Sequence, residues 1–329
     1  MFNNSKILIT GGTGSFGKKF LEISNKKFKF KKIIIFSRDE MKQWDMSQDY
    51  LNDNKIKFVI GDVRDYDRLN QNMKDIDFVV HAAATKIVPT AEYNPFECVK
   101  TNINGAMNVI NAAKSNKVKK VVALSTDKAS NPVNLYGATK LASDKLFIAA
   151  NSEDNKNITK FGVVRYGNVM GSRGSVIPYF HSLKKNKTMP ITDIKMTRFM
   201  ISLEEGVKLV WDAFMDLKGG EIYVKKIPSM KVIDIAKSIN PKAKLNIIGI
   251  RPGEKIHEQM IGSEDAMYTY EYKNYFKILP SLFNWNLDKK RIKNGKKVSD
   301  NFVYSSNNNN KWMTQKELKT WIKSNLEKK

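Results

Sequence analysis

The run Lys6 to Thr10 (KILIT) passes directly into Gly11-Gly12-Thr13-Gly14-Ser15-Phe16-Gly17, and this junction constrains the chain more than any other stretch. A short apolar run, a glycine-rich turn and a helical pattern read as strand, tight turn and helix. Glycine there permits close approaches that a Cβ would forbid, and the backbone N–H groups at the helix start face a phosphate. Similar apolar runs follow at Lys32 to Phe36, Lys55 to Ile60, Asp77 to His81, Val118 to Leu124 and Phe161 to Arg165, separated by intervals long enough for helices. The alternation predicts an α/β fold, a doubly wound parallel sheet of Rossmann type. Beyond Tyr166 the pattern loosens into short elements, with a Tyr-rich stretch at Tyr268 to Tyr275 and an Asn-rich one at Asn307 to Asn310. The expected organisation is a dinucleotide-binding domain over 1–167, with 203–226 returning to it. A smaller C-terminal substrate lobe over 168–202 and 227–329 completes it.

Gly11, Gly14 and Gly17 stand at a spacing of GxxGxxG, which differs from the commoner GxGxxG; a glycine pattern alone is weak, and its position at the strand–helix junction gives it weight. With Thr13, Ser15 and Phe16 these glycines form the expected cofactor turn. The end of the second strand should meet the adenosine ribose, where an acidic residue suits a free 2′-hydroxyl and arginine a 2′-phosphate. Ser37 and Arg38 arrive first, which favours NADP, while Asp39 and Glu40 keep NAD open. Asp62 and Val63 after the third strand are placed to meet adenine. Ala82, Ala83 and Ala84 after the fourth let the backbone lie along the cofactor, close helix–sheet packing being the plainer explanation of three alanines.

Tyr136 and Lys140 (YGATK) stand four positions apart, on one face if the segment is helical. A free tyrosine has a pKa of about 10 and is a poor base at neutral pH, and an adjacent cation favours its phenolate. Alone such a pair is usually a surface contact. Ser125 and Thr126 at the end of the fifth strand change that reading, because a hydroxyl there can hold a substrate oxygen beside the phenol.

GGTGSFG, HAAA, STDK and YGATK, in this order, resemble the extended short-chain dehydrogenase/reductase superfamily over essentially the whole chain. SRDE, STDKASNPVNLYGATK, RYGNVMGSRGSVIP, the TRFM around Arg198 and IRPGEKIHE narrow the resemblance to the soluble, C5-inverting UDP-N-acetylglucosamine 4,6-dehydratases of pseudaminic acid and related amino-sugar pathways. That resemblance implies a tightly held NADP reduced and reoxidised within one turnover, UDP-N-acetylglucosamine as substrate, and a homo-oligomer such as a hexamer. Oxidation at C4 acidifies the C5 proton, so hydride transfer precedes water loss. Tyr136 then takes the C4 hydroxyl proton, Lys140 lowers the tyrosine pKa and binds the nicotinamide ribose, and Thr126 holds O4. Asp127 and Lys128 supply the elimination acid and base, with Lys128 the favoured C5 base and Asp127 the acid. Burial pushes both toward their neutral forms while their mutual attraction opposes this. Toward the substrate the resemblance places Lys86, Asn168, Arg173, Arg251 and Glu254, with Glu258 in the same motif; an ion pair of Arg251 with a nearby carboxylate is the structural alternative. The segment Ala84 to Pro89 departs from the family pattern on both sides of Lys86. Retaining dehydratases carry Asp-Glu at the Asp127-Lys128 position, and the membrane-anchored relatives carry methionine where this chain has Tyr136.

A formal charge of +24 raises a nucleic-acid partner or an anionic membrane. The 49 lysines are spread along the chain with no basic arm, and only 8 arginines are present, five of them (Arg38, Arg165, Arg173, Arg198 and Arg251) in the segments quoted above. The balance is a solvated lysine surface, with no nucleic acid and no membrane as partners. No apolar run approaches the roughly 18 to 20 residues that cross a bilayer, and the N-terminus lacks a secretory pattern, which points to the cytoplasm. Cys98 is the only cysteine and the three histidines are scattered, so no metal site is expected. A 4-epimerase shares the cofactor site and the tyrosine but needs no elimination pair; a non-catalytic NADP-sensing or nucleic-acid-binding protein rests on the charge alone.

Overall fold

The protein is described by a computed structural model covering residues 2–152, 158–282 and 287–327. Six strands carry the first half: β1 (Lys6–Thr10), β2 (Lys32–Ser37), β3 (Ile56–Ile60), β4 (Phe78–His81), β5 (Lys120–Thr126) and β6 (Lys160–Tyr166). They lie parallel in the order β3-β2-β1-β4-β5-β6. Ile7, Leu8 and Ile9 of β1 are fully buried, as are Val121 and Val122 of β5, which is why these strands read as continuous apolar runs. Helices Ser15–Lys27 and Leu203–Asp216 pack against each other on the sheet, the second opened by a capping box between Ser202 and Glu205.

The strand Ile222–Lys225 adds parallel to β6. Tyr275–Ile278, Thr269–Glu271 and Lys296–Lys297 then extend the same sheet as an antiparallel edge, although the sequence assigns them to the substrate lobe. Their apolar pattern is broken by Lys277, which is 1% exposed and donates to Asp216 Oδ2 at 2.7 Å. A lysine in mid-strand normally signals solvent, and here a partner carboxylate takes it inside.

A second cluster of buried side chains joins Met170, Met189, Met196, Met200 and Met230 with Ile177, Phe180 and Ile235. Unbranched, adaptable methionine fills this smaller region, where the elements are short and irregular. Among the described residues no helix is long and apolar enough to cross a membrane.

Candidate active site

The chain runs outward from β1 to β3 and returns to β4 on the other side of β1, so the crevice at the C-terminal ends of β1 and β4 is a topological switch point, where α/β sheets take ligands. Gly11 lies there at φ +64°, and a Cβ on it would sit 2.7 Å from the Ala83 nitrogen; one on Gly17 would sit 2.3 Å from the Gly12 carbonyl oxygen. Glycine is therefore demanded at both positions by backbone packed against backbone. Gly14 is the N-cap of Ser15–Lys27 and brings no side-chain cap, so the N–H groups of that first turn are offered to an outside acceptor. The Thr10 hydroxyl pairs with His81 Nδ1 at 2.8 Å and accepts from the Ala82 and Ala83 N–H groups at 3.2 and 3.4 Å, fixing the opposite wall.

At the outer end of the crevice Thr13 and Ser37 share a hydrogen bond of 2.7 Å. Asp39 is committed elsewhere: it caps the helix Glu40–Ser47, accepting from the Lys42 N–H at 3.0 Å. Arg38 is 60% exposed and lies 3.6 Å from Asp62. Both Asp62 oxygens are taken by Arg64, which donates to them from its backbone and its guanidinium at 2.7 to 2.9 Å. Burial would raise the Asp62 pKa, and these bonds hold it below the ordinary carboxylate range instead. Val63 turns its side chain into the core against Gly105, and its carbonyl accepts from Asn108 at 3.0 Å. Phe16 packs between Phe20 and Tyr166, so it seats the helix start; Ala84 is exposed.

Two strands along, β5 ends at Thr126 and turns through Asp127–Ala129 toward the helix Leu135–Ala149. That helix starts cleanly because Asn134 accepts from the Gly137 N–H at 2.7 Å. Tyr136 and Lys140 follow on one face, 9% and 3% exposed. Burial pushes the Tyr136 phenol up to about 12, against the Lys128 charge and the Thr126 hydroxyl, which both lower it. The Lys128 charge is the largest influence that favours the phenolate, while the Lys140 pKa is itself drawn down by burial against Asp144. Of the two hydroxyls read from the sequence, Thr126 acts on the phenol, whereas Ser125 donates to Asp144 Oδ2 at 2.7 Å, between β5 and the helix. Arg165 joins that rear group, 3.3 Å from Asp144 and 2.8 Å from the Met260 carbonyl.

In front of the phenol Lys128 Nζ lies 3.1 Å from Asp127 Oδ1, and Asp127 also accepts from Thr126 at 2.9 Å. Burial raises the Asp127 pKa although Lys128 opposes it. Lys128 goes the other way: burial lowers its pKa, but Asp127 and Glu258 together lift it above the ordinary lysine value. Glu258, whose Oε1 is 3.1 Å from Lys128 Nζ, is the contact the sequence reading missed. Its position after RPGEK placed it near Arg251, and no local signal tells that the loop folds back on β5. Arg198 secures that loop by donating to the Lys255 and Ile256 carbonyls at 3.0 and 3.1 Å, with its Nε 3.7 Å from Glu258. Asn102 was also missed; buried in a π-helical turn, it joins Thr85 to Thr139 beside Tyr136.

On the expected substrate side Lys86 donates to the Arg173 carbonyl at 3.0 Å, joining the loop after β4 to the one after Asn168–Val169, where Asn168 is half-buried. Arg251 pairs with Glu254 inside its own turn, so Glu254 is occupied by that arginine while the guanidinium stays 60% exposed. Asn134 donates to the Gly253 carbonyl at 2.7 Å and Lys255 to the Ser130 carbonyl at 2.8 Å. The turn is thereby pinned to the start of the Tyr136 helix and to the loop beyond Lys128.

Residues 7–280 match the family model described as polysaccharide biosynthesis protein. The chain is 56% identical over 328 residues to the UDP-N-acetylglucosamine 4,6-dehydratase (inverting) of Campylobacter jejuni, covering 97% of each chain. It is 46% identical over 316 residues to a protein of Rickettsia bellii named UDP-glucose 4-epimerase, covering 94% of this chain and 92% of that one. Among solved structures, Pen from Bacillus thuringiensis superposes with a TM-score of 0.89 at 37% identity, over 98% of this chain and 99% of the other.

Proposed function

The chain belongs to the polysaccharide biosynthesis protein family, an extended short-chain dehydrogenase/reductase group, and from that premise we propose that it is a UDP-N-acetylglucosamine 4,6-dehydratase that inverts C5. The observation that carries the reading is the pair of buried Asp127 and partly exposed Lys128 beside Tyr136. An epimerase returns the hydride to C4 and needs no such acid and base, whereas removal of water from C5 and C6 needs both.

The turn at Gly11, Gly14 and Gly17 fits a dinucleotide pyrophosphate, because any side chain at Gly11 or Gly17 would fill the approach. NADP is favoured over NAD: Ser37 and Arg38 remain at the end of β2 for a 2′-phosphate, while Asp39 is held as a helix cap. Held there, a nicotinamide would supply the hydride acceptor for C4 and the hydride donor for C6. Tyr136 receives the C4 hydroxyl proton, Thr126 holds O4, and Lys140 holds the nicotinamide ribose. The C4 ketone makes the C5 proton acidic, Lys128 removes it, and Asp127, whose pKa burial raises, gives its proton to the departing O6. Lys86, Asn168, Arg173 and Arg251 face the nucleotide sugar, with Glu254 setting the Arg251 geometry. The reaction class is that of a hydro-lyase, and the same reading makes the protein a cytoplasmic homo-oligomer.

Incubation with UDP-N-acetylglucosamine in heavy water tests this directly. The expected product is a 4-keto-6-deoxy sugar carrying deuterium at C5 in the L-arabino configuration. A D-xylo product means retention, and UDP-N-acetylgalactosamine without 6-deoxy sugar means an epimerase.

A further inference from the structure

A lysine must be neutral to take a proton, yet Lys128 Nζ lies 3.1 Å from each of two buried acidic side chains, Asp127 and Glu258, and the ionised Glu258 favours its ammonium form. Glu258 is built in firmly: its backbone N–H donates to Ser306 Oγ at 2.9 Å and its carbonyl accepts from the Ser306 N–H at 2.8 Å. Its side chain is 3% exposed, against 22% for Lys128, so a substrate meets the lysine and not the glutamate. Glu258 Oε2 and Asp127 Oδ2 are buried without hydrogen-bond partners among the described residues. Buried lone pairs of this kind are costly unless something uses them. Asp127 cannot be the acceptor of the lysine's proton during elimination, because it must already hold the proton it delivers to O6.

We propose that Glu258 is the terminal acceptor of the C5 proton, acting through Lys128, an inference that rests on the dehydratase reading above. Lys128 passes one N–H proton to Glu258 Oε1, breaking that N–H bond and forming an O–H bond. The freed nitrogen lone pair takes the C5 proton as the C5–H bond breaks, and the C5–H electron pair enters the new C5–C6 double bond. The C6–O bond breaks in turn, and O6 leaves as water with the Asp127 proton. Lys128 is an ammonium before and after; Glu258 gains one proton and Asp127 loses one. Glu258 is thus a positioning residue in the sense that it works only through the lysine it holds. The charged and titratable groups around it are Asp127 and Lys128 from the end of β5, Arg198 from Thr197–Ile201, and Lys255 and His257 from its own loop. The net positive surroundings keep Glu258 ionised and ready to accept, although burial works against this.

The test uses the full chain with its cofactor and UDP-N-acetylglucosamine, following C4 oxidation by nicotinamide absorbance and elimination by C5 deuterium and 6-deoxy product. Glu258→Gln keeps an oxygen for Lys128 but cannot take its proton. It is expected to oxidise C4 while losing elimination by about a hundredfold. Its residual elimination should climb with pH, as Lys128 itself must now deprotonate, and Glu258→Asp should recover part of the loss. In the natural chain elimination should fall on the acid side as Glu258 is protonated and on the alkaline side as Asp127 is ionised. A smaller loss in Glu258→Gln, or a residual rate that does not climb with pH, overturns the proposal. Should that variant fail to fold, Glu258→Asp decides: an acid limb of elimination that moves with the new carboxyl group supports the relay, and an acid limb that stays where it was overturns it. Absence of any 6-deoxy product from the natural chain would instead remove the dehydratase reading itself.

Discussion

Behind Tyr136, Asp144 and Arg165 form an ion pair of 3.3 Å with both side chains 2% exposed; in front of it, Asp127 and Lys128 form one of 3.1 Å. The rear pair is closed. Ser125 and Arg165 both donate to Asp144, and Arg165 anchors the Met260 carbonyl, so the group ties β5, β6 and the Tyr136 helix to the segment after Glu258. Its one unmatched polar atom is Arg165 Nε, which can only donate and never gives up its proton in a protein. The unmatched atoms in front belong to carboxyl groups, which can give or take a proton, and the lysine between them is partly exposed. Similar charges at similar distances thus differ in which partner can titrate and which is open to a substrate, and the proposed proton transfer uses only the front pair.

Tyr136 belongs to both sides, and its removal is the severest test of the division. Tyr136→Phe should reduce C4 oxidation by about 10³- to 10⁴-fold, with elimination lost in step, as read by nicotinamide absorbance on mixing with the sugar nucleotide. Asp144→Asn should cost up to about 3 kcal/mol of stability by leaving the buried guanidinium with only its Asp265 partner at 3.4 Å, seen in the denaturant midpoint. The ratio of elimination to oxidation in the surviving folded protein should not move; a selective loss of elimination would show that the rear pair takes part in proton transfer. Asp127→Asn should behave in the opposite way, retaining C4 oxidation and lowering water loss by about a hundredfold, with 4-keto-6-hydroxy sugar accumulating. The smallest effect is expected far from both pairs: Arg38→Ala should weaken NADP by about tenfold and leave NAD binding unchanged, measured by titration. Equal weakening of both would return the choice of cofactor to Asp39 and Glu40.

The parts of the site that were legible are those written within a few positions of each other. Gly11 to Gly17 is one turn, and Tyr136 and Lys140 share one helical face, so spacing alone placed each group with its neighbours. Thr126 and Ser125 show the limit of that method: adjacent strand residues point to opposite faces, and only the fold tells which face meets the phenol. Asp39 is a second case. An acid at the end of β2 reads as a ribose ligand or as a helix cap, and the Lys42 N–H takes it as a cap.

What the sequence alone determined is the doubly wound sheet, its glycine turn and the phenol–ammonium helix, since hydrophobic period and short-range sterics act between near neighbours. The tertiary structure decided which acidic side chains surround Lys128 and the make-up of the sheet's far edge. Glu258 stands 130 positions from Lys128, and Lys277 is buried by Asp216, 61 positions before it. Charges meet across such distances only when the chain has packed, and burial then fixes how strongly they act on one another.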